Sequence, residues 1–144
     1  MGEGVEAVAG VRLIALHRVD GENGSLVVAE SPESMPFAAR RIFTLFDIPP
    51  GEVRGTHAHR ACQQLLICQR GSVKALVDDG RHRAEVVLDH PGVALYMPAL
   101  TWGTQFEYSV DAVLTVLASD PYDADDYIHD YDEFRAIVAG RTAG

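Results

Sequence analysis

Between residues 40 and 119 the chain alternates short apolar segments with glycine and proline turns. The segments are RRIFTLFDI (40–48), EVRGTHAH, QQLLICQ, SVKALVDD, RHRAEVVLD, VALYMP, TWGTQFEYS and AVLTVLAS. The breaks between them include PPG at 49–51, RG at 70–71 and HPG at 90–92. Short strands at this regular spacing predict an all-β sandwich or barrel.

The flanking regions extend this pattern without adding a second domain. VRLIALHRV and SLVVAE predict two more strands around the turn DGENG. The tail predicts a C-terminal helix over about 125–139, opened by Asp126 and closed by Gly140. Its aromatic and aliphatic residues recur at spacings of three and four: Tyr127, Tyr131, Phe134, Ile137 and Val138. We therefore expect one domain over 1–144.

Charge and composition limit the classes of partner. The net charge of −9 argues against nucleic acid and against an anionic membrane surface. The N-terminal residues resemble neither a signal peptide nor a myristoylation signal, and we expect a cytoplasmic protein. Two cysteines, Cys62 and Cys68, predict buried thiols rather than a disulfide framework.

The motif whose side chains could carry out chemistry is a pair of histidines two residues apart, His57 and His59. Side chains alternate along a strand, so both imidazoles point to one side. Gln64, Leu66 and Cys68 share one face of the next segment. If that face is interior, two imidazoles and an amide point into the same cavity. The competing interpretation is a pair of satisfied histidines on a barrel wall.

The spacing around the pair resembles the first motif of cupin barrels. Gly51, His57-x-His59, Gln64 and Gly71 match it, with Gln in place of Glu. The segment 92–98 resembles the start of the second cupin motif, but glycine at 103 stands where a third histidine belongs. A divalent cation would find too few ligands and no anionic one. We therefore expect no tightly bound metal, which leaves the histidines free to carry protons.

A wider resemblance covers about residues 10–135. The block RGTHAHRACQQ and the tail DADDYIHDYDEF are similar to nucleotide-sugar 3,4-ketoisomerases, small cupins that act on dTDP-4-keto-6-deoxyglucose in deoxysugar pathways. The resemblance implies a jelly-roll barrel with a short C-terminal helix and no metal or other cofactor. It also implies a homodimer that exchanges N-terminal strands, about residues 10–30, and catalysis by the histidine pair. Phe43, Thr44 and Gly103 depart from side chains that some members carry, so those roles do not transfer.

The implied reaction moves a ketone from C4 to C3 of a hexose through an enediolate, which requires a base and an acid. His57 and His59 are the candidates, and the sequence does not say which histidine does which. The candidates for substrate binding are Arg41, Arg54, Gln64, Tyr96, Trp102 and Gln105. On a regular strand Arg54 would face away from His57, but a bulge at Gly55 would bring both side chains to the same face.

Three other functions remain open. A metal-dependent cupin oxygenase lacks its ligands here, whereas a non-catalytic sugar-binding cupin and a nucleotide-sugar 3,5-epimerase fit the same fold. The C4 stereochemistry of the product and the nucleotide base are also open. The acidic tail is expected to lie away from a diphosphate, because its carboxylates would repel one.

Overall fold

The computed structural model describes residues 4–143, and for 142 and 143 it describes the backbone only. Its strands are β1 Arg12–Ala15, β2 His17–Gly21, β3 Gly24–Val28, β4 Arg41–Phe46, β5 Arg54–His59, β6 Gln64–Arg70, β7 Val73–Asp78, β8 Arg83–Leu88, β9 Val93–Met97, β10 Trp102–Phe106, β11 Val113–Ala118 and β12 Tyr127–Ile128. The helix α1 spans Tyr131–Ala143, and 3-10 turns occupy Val5–Ala7 and Ala124–Asp126. Each apolar segment of the sequence coincides with one strand, except that 11–19 divides into β1 and β2.

Two five-stranded antiparallel sheets form the barrel, and the predicted all-β cupin fold is confirmed. The strand orders are β1-β9-β6-β11-β4 in the first sheet and β12-β5-β10-β7-β8 in the second. The main core lies between them, where Leu66, Leu95 and Leu114 of the first sheet meet Val73 and Val77 of the second. Alternation along each strand turns every second side chain into this core.

The outer face of the first sheet carries a second apolar cluster. Leu65 and Tyr96 alternate with the core residues of their strands and pack against Met35 and Phe37 from the segment before β4. The hairpin β2–β3 forms a separate two-stranded sheet whose side chains are largely exposed. The strand β1 pairs with β9 of its own chain.

The C-terminal helix begins six residues later than the sequence predicted. Asp130, rather than Asp126, caps it by accepting hydrogen bonds from the backbone N–H of Asp132 and Glu133. Gly140 lies inside the helix and does not end it. The predicted start was wrong because Tyr127 lies four residues before Tyr131, so the helical spacing of the apolar residues continues back into β12.

The helix is fixed to the second sheet by aromatic packing and one buried carboxylate. Phe134 is fully buried against Trp102 and Ile128. The Tyr131 hydroxyl donates a hydrogen bond of 2.7 Å to Asp78, whose side chain is buried. No helix of the described residues is long and apolar enough to cross a membrane. This anchorage holds β12, which immediately precedes the helix, against the edge of β5.

Candidate active site

A cavity of about 310 Å³ lies between the two sheets. Its floor is apolar, formed by residues such as Leu66, Met97 and Val116 of the first sheet. Most of its polar groups come from β5, β6, β10 and the tail: Arg54, His57, Gln64, Gln105, Tyr127 and His129. A pocket with an apolar floor and several convergent polar groups suits a small molecule that carries both kinds of surface.

A bulge in β5 aims the strand at this cavity. Gly55 and Thr56 have φ angles of 85° and 56°, and the register with β10 shifts so that Gly103 pairs with His57 and Thr104 with Gly55. One extra residue on the bulged strand reverses the alternation beyond it. Arg54 and His57 therefore line the same cavity, although they lie three residues apart. The predicted bulge at Gly55 is confirmed.

The two imidazoles contact each other directly. Nε2 of His57 lies 3.1 Å from Nε2 of His59, and the rings meet edge to face. Nδ1 of His57 donates a hydrogen bond of 2.8 Å to the carbonyl of Gly55. His57 lines the cavity, whereas His59 lies behind it and is 5% exposed. The prediction that both rings point to one side is confirmed, and the structure gives them different depths.

Asp126 completes a chain of hydrogen bonds behind the histidines. Its Oδ2 lies 2.9 Å from Nδ1 of His59. The backbone N–H of Ala61 donates to its Oδ1 at 2.7 Å, and that of Cys62 donates to Oδ2 at 3.3 Å. The loop between β5 and β6 therefore holds the carboxylate in place against the ring.

Burial and hydrogen bonding act in opposite directions on these groups. Burial lowers the pKa of both His57 and His59, and the Asp126 carboxylate opposes that shift at His59. Burial raises the pKa of Asp126, but hydrogen bonds from the Ala61 N–H, His59 and the Cys62 N–H outweigh it, so the net shift is downward. Asp126 therefore stays ionised, and its charge opposes the effect of burial on the pKa of His59.

The predicted binding residues divide into two groups. Arg54, Gln64 and Gln105 line the cavity. Arg41 lies nearby on the inward face of β4, with its guanidinium over the rings of Phe43 at 5.4 Å and Tyr122 at 5.8 Å. The Nε of Arg41 is buried and has no hydrogen-bond partner. A buried donor of this kind is costly unless a ligand satisfies it.

Two predicted binding residues lie elsewhere in this chain. Tyr96 belongs to the outer cluster of the first sheet, where its hydroxyl donates to the side chain of Gln63 at 2.6 Å. Trp102 packs under α1 against Tyr131 and Phe134. Neither side chain lines the cavity. Both side chains point away from the cavity, a direction that the sequence left open because strands favour aromatic residues on either face of a sheet.

The tail contributes site residues that the sequence analysis missed. The strand β12 pairs with β5 so that Tyr127 lies opposite His59. The Tyr127 ring contacts both imidazoles at centroid distances of 4.8 and 4.5 Å and stacks on His129. The tail was expected to lie away from the ligand, but Tyr127 and His129 reach the candidate cavity, whereas the Asp126 carboxylate does not line it. The available signal was the period-two spacing of Tyr127 and His129, which the helical spacing of the same segment obscured.

One group of described residues offers three possible metal ligands. Nδ1 of His59, Sγ of Cys62 and a carboxylate oxygen of Asp126 lie within 4.8 Å of one another. All three side chains already make hydrogen bonds within the chain, since Cys62 donates to the carbonyl of Gln63 and Asp126 accepts from His59. None of these three side chains lines the cavity. The absence of a tightly bound metal stays a prediction.

Comparison with known proteins assigns both fold and class. The family described as FdtA: WxcM-like, C-terminal matches residues 9–139. The TDP-4-oxo-6-deoxy-alpha-D-glucose-3,4-oxoisomerase of Aneurinibacillus thermoaerophilus is 39% identical over 128 residues, which cover 89% of this chain and 92% of that protein.

Solved structures agree with the family match. A 3,4-ketoisomerase from Helicobacter canadensis is 34% identical with a TM-score of 0.86, covering 90% of this chain and 98% of its own. The ketoisomerase QdtA from Thermoanaerobacterium thermosaccharolyticum, in complex with TDP, is 32% identical with a TM-score of 0.88, covering 92% and 97%. A mutant of QdtA with one histidine replaced by asparagine was solved with TDP-4-keto-6-deoxyglucose, and it has a TM-score of 0.89 at 31% identity, covering 93% and 97%.

Proposed function

This chain belongs to the FdtA, WxcM-like family, and we propose that it converts TDP-4-keto-6-deoxyglucose to the 3-keto isomer by proton transfer through the His57–His59 pair. It is an isomerase of the sugar 3,4-ketoisomerase class, as its relatives are. The observation that carries the mechanism is the pair itself, with one imidazole in the cavity and the other hydrogen-bonded to it at 3.1 Å.

The chemistry requires movement of protons only. A base takes the proton from C3, next to the C4 carbonyl, and the electron pair of that C–H bond forms the enediolate double bond. The C4 oxygen gains a proton and the C3 hydroxyl loses one, while C4 is protonated on carbon. Substrate and product are isomers, so no oxidant or reductant is consumed. One histidine serves C3, and the other supplies the remaining proton.

The remaining polar groups of the cavity suit an anionic, hydroxylated ligand. Arg54 is the one arginine or lysine among the described residues that line the cavity, and Arg41 presents an unpartnered buried nitrogen nearby. An arginine forks onto phosphate oxygens, so these two residues are the proposed diphosphate ligands. Gln64 and Gln105 are proposed to bind sugar hydroxyls. Tyr127 presents an aromatic face to the histidines and to the bound sugar.

The proposed assembly is a homodimer. In the single chain, Val19 and Leu26 of the hairpin β2–β3 are 47% and 57% exposed, and the hairpin pairs with no other strand of the described residues. An apolar hairpin of this kind is a liability unless a partner covers it. We expect a second copy to do so, and the proposed exchange involves β2 and β3, because β1 pairs with β9 of its own chain. Sedimentation equilibrium of the wild type and of Leu26→Glu tests this, with a dimer expected only for the wild type. The cytoplasmic location also stays a prediction.

The test of function is incubation with TDP-4-keto-6-deoxyglucose, followed by NMR of the product. We expect the ketone at C3. His57→Asn and His59→Asn should each lose turnover by about 100-fold or more while TDP binding survives. His82→Asn, at an exposed histidine far along the chain, is the matched control and should retain activity. Near-wild-type turnover in both active-site variants would refute the mechanism.

The alternatives have distinct outcomes in the same experiment. A ketone that remains at C4 with solvent deuterium at C5 would identify a 3,5-epimerase. Binding without any exchange would identify a sugar-binding protein. Activity that disappears on dialysis against a chelator and returns with a divalent metal would contradict the prediction that the reaction is independent of metal.

A further inference from the structure

Asp126 has a defined place behind the histidine pair. We infer that Asp126 is a positioning residue of the reaction, which keeps an extra proton on His59 and so leaves His57 as an unprotonated base at the cavity. The assignment of His57 as the base rests on the proposed function, which this inference deepens. The count of protons that supports it depends only on the geometry.

The count follows from three consecutive hydrogen bonds. Nδ1 of His57 contacts a carbonyl oxygen, Nε2 of His57 contacts Nε2 of His59, and Nδ1 of His59 contacts a carboxyl oxygen of Asp126. Each contact needs one proton between its two atoms, because a carbonyl oxygen, an ionised carboxylate and an unprotonated imidazole nitrogen can only accept hydrogen bonds. Two neutral imidazoles carry two protons together. The third proton is therefore an extra one, shared among the two rings and the carboxyl group.

The surroundings of Asp126 decide which group holds that proton. Two backbone N–H groups, from Ala61 and Cys62, point at the carboxylate oxygens. Donors of this kind stabilise the ionised form. The proton therefore belongs to the histidines, and the charge of Asp126 balances it.

Other charged and titratable groups also face the pair. Burial and Arg41 from β4 lower the pKa of His59, whereas Asp126 and, more weakly, Asp120 after β11 raise it. Cys62 and the Tyr127 ring pack beside His59. On the cavity side, His129 faces His57 and lowers its pKa. Of the groups that favour the charged form, Asp126 is the one in direct hydrogen-bond contact with a ring. It therefore pulls the shared proton toward His59.

This placement prepares the two rings for different work. Both nitrogens of His57 are engaged within the protein, so a sugar must displace the contact between the two Nε2 atoms to reach one. When that contact opens, the proton stays with His59 beside the carboxylate, and Nε2 of His57 keeps its lone pair. The Gly55 carbonyl holds the other proton of His57 on Nδ1. The C3 proton then moves to His57, and the charged His59 remains close to the developing enediolate.

Asp126→Asn is the decisive variant, with Asp125→Asn as its matched control. Asparagine keeps the shape and an oxygen for the Ala61 N–H, but it presents an NH₂ group to Nδ1 of His59, which must then accept. Asp125 lies in the same 3-10 turn, with an exposed side chain. We expect kcat of Asp126→Asn to fall on the order of 100-fold, with little change in KM. We also expect the alkaline limb of its kcat profile to move to lower pH, because His59 loses its extra proton more easily. Asp125→Asn should match the wild type.

A purely structural role would lower activity without moving the pH limb, and that result would overturn the inference. A second measurement does not depend on a variant that folds or on the reaction. Nitrogen-15 NMR of the wild type near neutral pH should show three protonated nitrogens among the four of His57 and His59. Two protonated nitrogens would overturn the inference, even if the chain proves to be a ketoisomerase. Three would support it even if turnover fails and the proposed function has to be abandoned.

Discussion

The bulge at Gly55 connects the fold to the chemistry, so replacing this glycine with alanine tests both together. Gly55 has φ of 85° and supplies the carbonyl that fixes His57. A left-handed backbone costs an alanine roughly 1–2 kcal/mol, offset in part by about 0.4–1 kcal/mol from the reduced freedom of the unfolded chain. A Cβ on Gly55 would also lie 2.7 Å from Oε1 of Gln105 and 3.1 Å from the carbonyl oxygen of Gly103.

These contacts set the size of the effect. The Gln105 side chain can move, but the Gly103 carbonyl belongs to the β5–β10 ladder and cannot move without it. Crowding of this kind adds about 1–2 kcal/mol. We therefore expect Gly55→Ala to lose about 2–3 kcal/mol of unfolding free energy, or roughly 5–10 °C in Tm. Displacement of the bulge also misdirects Arg54 and His57, so kcat should fall at least about tenfold.

Gly51→Ala is the matched control in urea denaturation and in the turnover assay. Gly51 has φ of 86°, and a Cβ there meets nothing within 4 Å. It should lose about 1 kcal/mol from backbone strain alone and keep its kcat. Equal stability losses in the two variants, or unchanged turnover in Gly55→Ala, would refute the role assigned to the bulge.

Three further perturbations test other parts of the structure. Arg54→Met should raise KM for the TDP-sugar with little change in kcat, because it removes the arginine that lines the cavity, whereas Arg135→Met on the exposed face of α1 should change neither constant. Tyr131→Phe should cost about 1–2 kcal/mol in urea denaturation, because the buried Asp78 carboxylate loses a donor; no change would contradict the anchoring of the helix. Burial raises the pKa of Tyr108 from 10.0 to about 12. The folded state therefore keeps a proton that the unfolded state releases, and stability should fall by on the order of 2 kcal/mol as pH rises through that interval, after allowance for partial solvent screening. Tyr108→Phe should abolish this alkaline loss of stability and change the unfolding free energy little at neutral pH, since the hydroxyl has no hydrogen-bond partner among the described residues. An unchanged alkaline loss in the variant would contradict the assignment of that loss to Tyr108.

Local patterns in the sequence predicted the features that depend on neighbours along the chain. Alternation placed His57 and His59 on one side of β5, and the glycine at 55 indicated the bulge that returns Arg54 to the cavity. Both depend on residues within a few positions of one another. The all-β barrel was predictable for the same reason, since each strand shows its own apolar spacing and its own turns.

The features that the sequence did not reveal depend on contacts between distant segments. Asp126 lies 67 positions from His59, and the two-residue strand β12 that joins them to β5 leaves only a short period-two pattern, which the helical spacing of the same segment obscures. The sequence also did not show which face of its sheet Tyr96 or Trp102 occupies, because apolar groups cover both faces of each sheet. The outer cluster and α1 provide those second coverings, and their positions are set by tertiary packing.

The most direct test follows the hydrogen at C3. TDP-4-keto-6-deoxyglucose carrying deuterium at C3 is incubated with the wild-type chain, and the product is examined by proton and deuterium NMR. The account predicts a ketone at C3 and a label that has left C3 for C4 or for solvent. A label that stays on C3, or a ketone that remains at C4, would contradict proton transfer by the histidine pair.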